Sequence, residues 1–344
     1  HAKTELQKWY ERFVKGALQR GIDKGTARKI FDHISGFAEF GFCKSHAASF
    51  AILCYISAFL KAYYPSEFYC ALLNNQPMGF YIPEVITGDA KRHGVPILPV
   101  AINRSCWRCS LENNAIRTGF RYVKEMGEEK VKPILTARDK GVFLSLRDFW
   151  ERTGLGKESL RNLIVVGAFD ALHRSRRQLL WDAGAMRVSG LSTMNMESSD
   201  KAPLDEMTSI EETIADYSLQ GFSPSGHLVR IFRKLLETSG AIKSSQLAGC
   251  SSGEYVKIGG YCVCLQVPGT AKGFAFITLE DEEGLANIIL KPKDYTTYKA
   301  LVRLEPLLLV EGVVEKKEGI TNIMARTILN LRHLGKAPRE MVLS

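Results

Sequence analysis

Lys44, Ser45 and His46 place an ammonium, a hydroxyl and an imidazole on three successive residues, immediately ahead of a long apolar run. That run predicts a helix over 45–64, stopped by Pro65. A helix N-terminus presents unpaired backbone N–H groups and the positive end of the dipole. These residue types at that place suit a phosphate. On the residues alone they suit better a plain helix start, with Ser45 as the N-cap and Lys44 in solvent. Other chemistry finds less support. Two-metal catalysis needs paired carboxylates, and the chain has no Asp-x-Asp; Glu280-Asp281-Glu282-Glu283 reads as a solvated turn at a strand end. Cys106 and Cys109 form one C-x-x-C, and Cys262 and Cys264 alternate as strand residues do. With no second pair at zinc spacing, unpaired thiols in a reducing cytoplasm are expected, and no metal site.

Two glycine turns between short helices offer a second chemistry. Tyr122-Val123-Lys124-Glu125-Met126-Gly127-Glu128-Glu129-Lys130 resembles a helix-hairpin-helix element, in which a tight hairpin opens a helix whose first N–H groups bind a nucleic-acid phosphate without reading bases. The usual hairpin is Gly-apolar-Gly. Here Glu125 replaces the first glycine and adds a negative charge, and Pro133 falls inside the following helix, where a kink is expected. Gly154-Leu155-Gly156-Lys157 keeps both glycines and adds a lysine. The DNA contacts expected here are Lys124, Gly127, Gly154, Gly156 and Lys157, extended by Arg174, Arg176 and Arg177. The alternative is a structural helical hairpin with no ligand.

The elements around these motifs follow from periodicity. Residues 1–75 read as helices (5–19, 26–34, 45–64 and 66–74), followed by a helix at 83–93 and a short strand near 97–100. The apolar core of the long helix, 47–60, falls short of the roughly 20 residues that span a bilayer, so a buried core helix and no membrane partner are expected. Short helical elements fill 107–172, a polar stretch at 187–205 reads as linker, and helices follow at 209–219 and 227–237. After about residue 243 the period becomes two. Five strands are expected at 255–267, 274–280, 285–290, 306–314 and 320–331, with a helix at 295–302, which matches the OB-fold, a small Greek-key barrel. Single strands bind such barrels through aromatics and cations. If Ala275, Ile277 and Leu279 face the core, Phe274 and Phe276 face out, flanked by Lys272, Lys316 and Lys317; the alternative puts Phe276 in the core.

Charge is uneven. Of the net +9, residues 1–190 carry 29 Lys/Arg against 18 Asp/Glu, residues 191–240 carry 4 against 8, and the remainder 13 against 11. A polyanion is the natural partner of the N-terminal half, with a solvated basic surface as the alternative. The chain has 344 residues and opens at His1 without a methionine. It is expected to be a multidomain α+β piece of a longer protein.

Phe37-Ala38-Glu39-Phe40-Gly41-Phe42-Cys43-Lys44-Ser45-His46-Ala47-Ala48-Ser49-Phe50-Ala51, continued by Leu60-Lys61-Ala62-Tyr63-Tyr64-Pro65-Ser66-Glu67-Phe68, resembles the fingers signature of bacterial family C DNA polymerases. In that family the Lys-Ser-His segment and the aromatic before its glycine help hold the incoming nucleoside triphosphate. The resemblance therefore implies dNTP contacts at Phe40, Lys44, Ser45 and His46. The family often has Tyr at the position of Phe40. Leu73-Asn74-Asn75-Gln76-Pro77-Met78-Gly79-Phe80-Tyr81, Asp89-Ala90-Lys91-Arg92-His93-Gly94-Val95 and Pro268-Gly269-Thr270-Ala271-Lys272-Gly273 resemble the error-prone branch of the DNA polymerase III alpha subunits. The resemblance implies the end of the fingers (1–105), a helix-hairpin-helix module (106–190), an acidic linker with two helices (191–242), an OB barrel (243–335) and a tail (336–344). It implies DNA synthesis by the full-length enzyme with Mg2+ on an upstream palm, no catalytic residue or cofactor here, and no polymerisation by this piece alone. The replicative subunit carries a clamp-binding peptide before the OB region. None stands at 190–207, so an accessory protein is expected to supply clamp attachment. The rival readings are the main replicative alpha subunit and a non-enzymatic OB-fold DNA-binding protein.

Overall fold

A computed structural model of the chain describes residues 2–40, 44–79, 81–172, 174–185 and 204–333. It falls into two compact units, 1–63 and 64–344. The boundary divides the segment expected to run over 1–105. The reason is packing: 64–98 build a core with the residues that follow them.

The first unit holds α1 (Ala2–Gln19), α2 (Lys24–Phe40) and α3 (Lys44–Tyr63). Asp23 starts α2 by accepting from the backbone N–H of Gly25 and Thr26 at 2.9 and 3.0 Å. Val14, Ala17 and Ala27 bury against one another, and Tyr10 meets Phe31 edge-on at 5.2 Å. The expectation that α3 is a buried core helix is not met. It has no buried residue, and Phe50, Ile52, Leu53, Tyr55, Ile56 and Phe59 are all exposed. Among the described residues of this unit, the buried apolar side chains all lie on α1 and α2. Among the described residues it is the one helix long and apolar enough to cross a membrane by length and composition.

The second unit begins with α4 (Pro65–Asn74) and α5 (Pro83–Arg92), packed on a small sheet of β1 (Ile97–Leu98), β2 (Ser110–Glu112) and β3 (Ala115–Arg117) in the order β1-β3-β2. Tyr69, Leu73, Ile86, Ala90, Ile97, Ile116 and Phe222 form its core. The β2–β3 hairpin corrects the all-helical reading of 107–172. Its turn is Asn113-Asn114, both at positive φ (50° and 61°), the geometry that two-residue hairpins require.

Next come α6 (Glu128–Asp139), α7 (Leu146–Thr153), α8 (Lys157–Val165) and α9 (Arg176–Ala185). Pro133 lies inside α6, which nonetheless runs on to Asp139. Phe149, fully buried, meets Phe143 and Phe169 edge-on at 4.9 and 5.0 Å, at the centre of a core that also takes in Phe120, Ile134, Leu163 and Ile164.

α10 (Ser209–Gln220) opens with a capping box between Thr208 and Glu211. The helix expected over 227–237 is two pieces, α11 (Leu228–Ile231) and α12 (Arg233–Thr238), hinged at Phe232. Leu228, Val229 and Leu236 bury against Leu307, Leu309 and Leu331 of the last domain.

That domain is a closed barrel of β4 (Tyr255–Gln266), β5 (Ala275–Glu280), β6 (Leu285–Leu290), β7 (Leu307–Lys317) and β8 (Ile320–Asn330), with α13 (Pro292–Leu304) between β6 and β7. The order is β4-β5-β6-β8-β7, antiparallel except for β6 with β8. Five strands in this order, with a helix in that gap, are the OB-fold. Gly312 lets β7 and β8 close: a Cβ there would stand 2.4 Å from the Met324 carbonyl oxygen.

A buried polar seam joins the barrel to α5 and α10. Tyr217 OH donates to Glu84 Oε1 at 2.6 Å, Lys91 Nζ donates to the Ser223 carbonyl at 2.6 Å, and Arg92 pairs with Glu280 of β5 at 2.5 Å. Burial raises the Glu84 carboxyl from 4.5 to about 8 and lowers Lys91 to about 8. An acid protonated in the fold but ionised when unfolded loses stability for the fold as pH rises from about 4.5 to about 8. Glu84→Gln is therefore expected to remove a falling limb over that window. Denaturation midpoints should match wild type near pH 4.5 and exceed it at pH 8.5.

Candidate nucleic-acid interface

The two hairpins are matched in geometry. Gly127 caps α6 at φ −81°, ψ 162°, and Gly156 caps α8 at φ −66°, ψ 157°. Each helix therefore begins with N–H groups that have no intrahelical partner. A Cβ at Gly127 or Gly156 would meet nothing in the protein, so both turns leave open space in front of those groups. Gly154, which ends α7 at φ 62°, needs glycine for its left-handed backbone. Glu125 takes the same region at φ 65°. The hairpin thus keeps the glycine geometry with a side chain that disfavours it.

α8 holds the first hairpin in place. Ser159 Oγ and Asn162 Nδ2, one turn apart, donate to the carbonyls of Glu125 and Lys124, each at 3.0 Å, and Lys130 Nζ reaches the Glu125 carbonyl at 2.8 Å. These bonds tie the first hairpin to the helix that the second turn opens, a link that no local signal in the sequence carries.

Their electrostatics differ. Glu125, Glu128 and Glu129 surround the first helix start and oppose an anion. Lys157 stands exposed in the first turn of α8. The start of α8 therefore has the electrostatics more favourable to an anion. Glu125→Gly is expected to stabilise the chain by about 1 kcal/mol by relieving the left-handed strain. It should also tighten polyanion binding by removing the nearest carboxylate. Denaturation and a heparin titration would check both, and unchanged values would refute the role assigned to Glu125.

The arginines expected to extend this track each pair with a carboxylate. Arg174 pairs with Asp182 at 2.9 Å, Arg177 with Glu211 at 2.5 Å, and Arg176 with Asp170 at 2.8 Å and the Val165 carbonyl at 3.0 Å. Each guanidinium has found a carboxylate of its own fold: Arg177 ties α9 to α10 and Arg176 ties it to the turn after α8, while Arg174 pairs with α9 itself and stays largely exposed.

On the barrel, Ala275, Ile277 and Leu279 are buried while Phe276 is 37% exposed, so the aromatic faces out. Phe274 is half-buried just ahead of β5, and Lys272 is exposed in the β4–β5 connection at φ 49°. The pairings Phe276 to Ile289 and Ile289 to Met324 run one outward row across β5, β6 and β8, ending at Gln266 beyond β5. Ile289 and Met324 escape a reading of β5 alone, because only strand register brings them beside Phe276. Lys317 lies at the β7–β8 hairpin, four residues from Val313, which pairs with Met324. Lys316 does not flank this face; its Nζ donates to the Ala248 carbonyl at 2.8 Å. Alternation along β7 turns 316 to the side opposite 315 and 317.

In the first unit, Lys44 opens α3, with Ser45 and His46 in its first turn, all exposed. The His46 ring lies 4.4 Å from that of Phe50. Phe40 ends α2, and its side chain lies outside the described residues. Among the described residues no group of His, Cys, Asp or Glu is arranged to hold a metal ion.

A family model described as the helix-hairpin-helix motif matches residues 94–179. Among curated proteins, the error-prone DNA polymerase of Sinorhizobium medicae is 35% identical over 91% of this chain and 31% of its own length. That of Burkholderia pseudomallei is 36% identical over 96% and 32%. Error-prone DNA polymerase 3 of Agrobacterium fabrum is 33% identical over 95% and 32%. The chain spans about a third of the length of the curated relatives it matches.

Proposed function

Because this chain is homologous to a segment making up about a third of the error-prone DNA polymerases, we propose that it is the DNA-gripping, C-terminal portion of such an enzyme. The observation that carries the reading is the uncovered start of α8 at Gly156-Lys157, inside the stretch that matches the helix-hairpin-helix family. It offers backbone N–H groups and one ammonium to a duplex phosphate without reading bases. The outward Phe276–Ile289–Met324 row offers a stacking surface to the single-stranded template. In the full-length protein the activity is template-directed DNA synthesis, associated with damage. Lys44, Ser45, His46 and Phe40 contact the dNTP, while the catalytic carboxylates and their Mg2+ belong to the remaining two thirds. Clamp attachment comes from an accessory protein. The segment alone does not polymerise.

Fluorescence anisotropy of labelled single-stranded and primer-template DNA across a salt series tests the grip. Lys157→Ala should weaken duplex binding and lower the salt slope by about one. Phe276→Ala should weaken single-strand binding roughly ten-fold, from a stacking contribution of about 1–3 kcal/mol per base. No binding to either DNA at low salt would overturn the reading.

A further inference from the structure

A cavity of about 300 Å3 lies between α5, the turn joining α10 to α11, and the turn from β5 to β6. Its walls include Lys91, Arg92, His227, Arg230, Asp281 and Glu282. The carboxylates there are already served. Asp281 accepts from the Ser244 hydroxyl and backbone and from the backbone N–H of Glu283 and Gly284, and Glu282 takes Arg233 on both oxygens. Glu84 holds the Tyr217 hydroxyl.

Donors, by contrast, are in surplus. Arg92 Nη2, Arg233 Nη1 and His227 Nε2 are buried with no hydrogen-bond partner among the described residues. His227 caps α11 by accepting the Val229 N–H on Nδ1 at 3.2 Å, so the proton of the neutral ring sits on Nε2 and makes it a donor. Burial pushes this imidazole down to about 4, which keeps it neutral at pH 7. The unpartnered acceptor in the same cluster, Glu280 Oε2, belongs to a carboxylate that already meets Arg92 through Oε1. A buried donor without an acceptor is costly to leave unmet. Four cations, Lys91, Arg92, Arg230 and Arg233, stand around four carboxylates, Glu280, Asp281, Glu282 and Asp89, the last 3.8 Å from Arg92 Nη2 and beyond hydrogen-bond reach.

We propose that this cavity binds a small phosphate-type oxyanion, held by Arg92, Arg230 and the Nε2–H of His227. A tetrahedral oxyanion brings several acceptors to donors that converge from α5 and from α11 with its N-cap, and charge-assisted bonds of this kind are the strong ones. The inference goes beyond the DNA reading, because neither hairpin nor the outer barrel row contributes to the cavity.

Thermal unfolding of the whole chain, titrated with inorganic phosphate and with pyrophosphate at ionic strength held constant by sodium chloride, tests it. The expected result is a saturating rise in Tm with either anion that chloride does not reproduce. His227→Asn keeps an oxygen acceptor for the Val229 N–H but loses the ring donor, and Arg230→Ala removes an exposed side chain. Each should weaken the apparent affinity at least ten-fold without lowering the anion-free Tm by more than a few degrees. Competition with a short duplex separates the sources: duplex that displaces phosphate assigns the oxyanion to the DNA backbone, and independent binding assigns it to a free anion. No saturable effect, or equal affinity in both variants, would overturn the proposal and leave the donors to water.

Discussion

Arg92→Ala should destabilise the second unit by about 3–5 kcal/mol, the usual cost of stripping one partner from a buried ion pair. Glu280 has no exposed surface and lies 188 residues along the chain from Arg92, which it meets at 2.5 Å. The wall is built around the pair: a Cβ at Gly88 would stand 2.4 Å from Glu280 Oε1. Burial already raises the Glu280 pKa despite the arginine, so in the variant the acid escapes part of the penalty by taking up a proton. The loss should therefore grow with pH. The double variant Arg92→Leu/Glu280→Leu leaves no bare charge and should recover most of the stability. Chemical denaturation of the wild type and the two variants at pH 6 and pH 8.5 checks this. A double variant as unstable as the single one would mean that packing, and not the uncompensated charge, holds the barrel to α5.

Phe149→Ala is expected to cost about 3–5 kcal/mol and to weaken duplex binding with it, because it opens a cavity where three aromatic rings meet. Phe143 and Phe169 would each lose an edge-on partner. α6, α7 and α8 all bury side chains in this core, so the damage reaches both hairpin turns without touching either. Phe149→Leu keeps most of the volume and should cost under half as much. Denaturation together with duplex anisotropy separates the cases: a destabilised chain that still bound duplex with wild-type affinity would show that the hairpins do not depend on this core.

Both predictions rest on partners that no local pattern in the chain identifies. The glycines at 154 and 156 are legible as a helix-hairpin-helix turn because a left-handed C-cap and a glycine N-cap are backbone requirements met within a few residues. The outward aspect of Phe276 follows from the period of two through 275–279, and the barrel from five such strands with a helix after the third. Charged side chains are a different case. Arg176 and Lys316 read as cations open to DNA, yet one is folded onto Asp170 and the other onto the Ala248 carbonyl. The acidic turn after β5 reads as solvated, yet Glu280 and Asp281 are buried. A long cation reaches whatever acceptor the chain path brings near, and that depends on which elements pack rather than on sequence spacing.

Local periodicity and backbone geometry thus determined, from the amino-acid order by itself, where helices and strands form and which glycines shape the turns. Only the tertiary structure decided which charges are free to meet a polyanion. It also decided that β6 and β8 complete the outward row beside Phe276, and that Lys91 and Arg92 of α5 and His227 and Arg230 at the start of α11 line one cavity. The physical reason is range. A dihedral preference or an apolar stripe acts over a few residues, whereas a hydrogen bond or an ion pair joins groups far apart in sequence that packing has already brought within 3 Å.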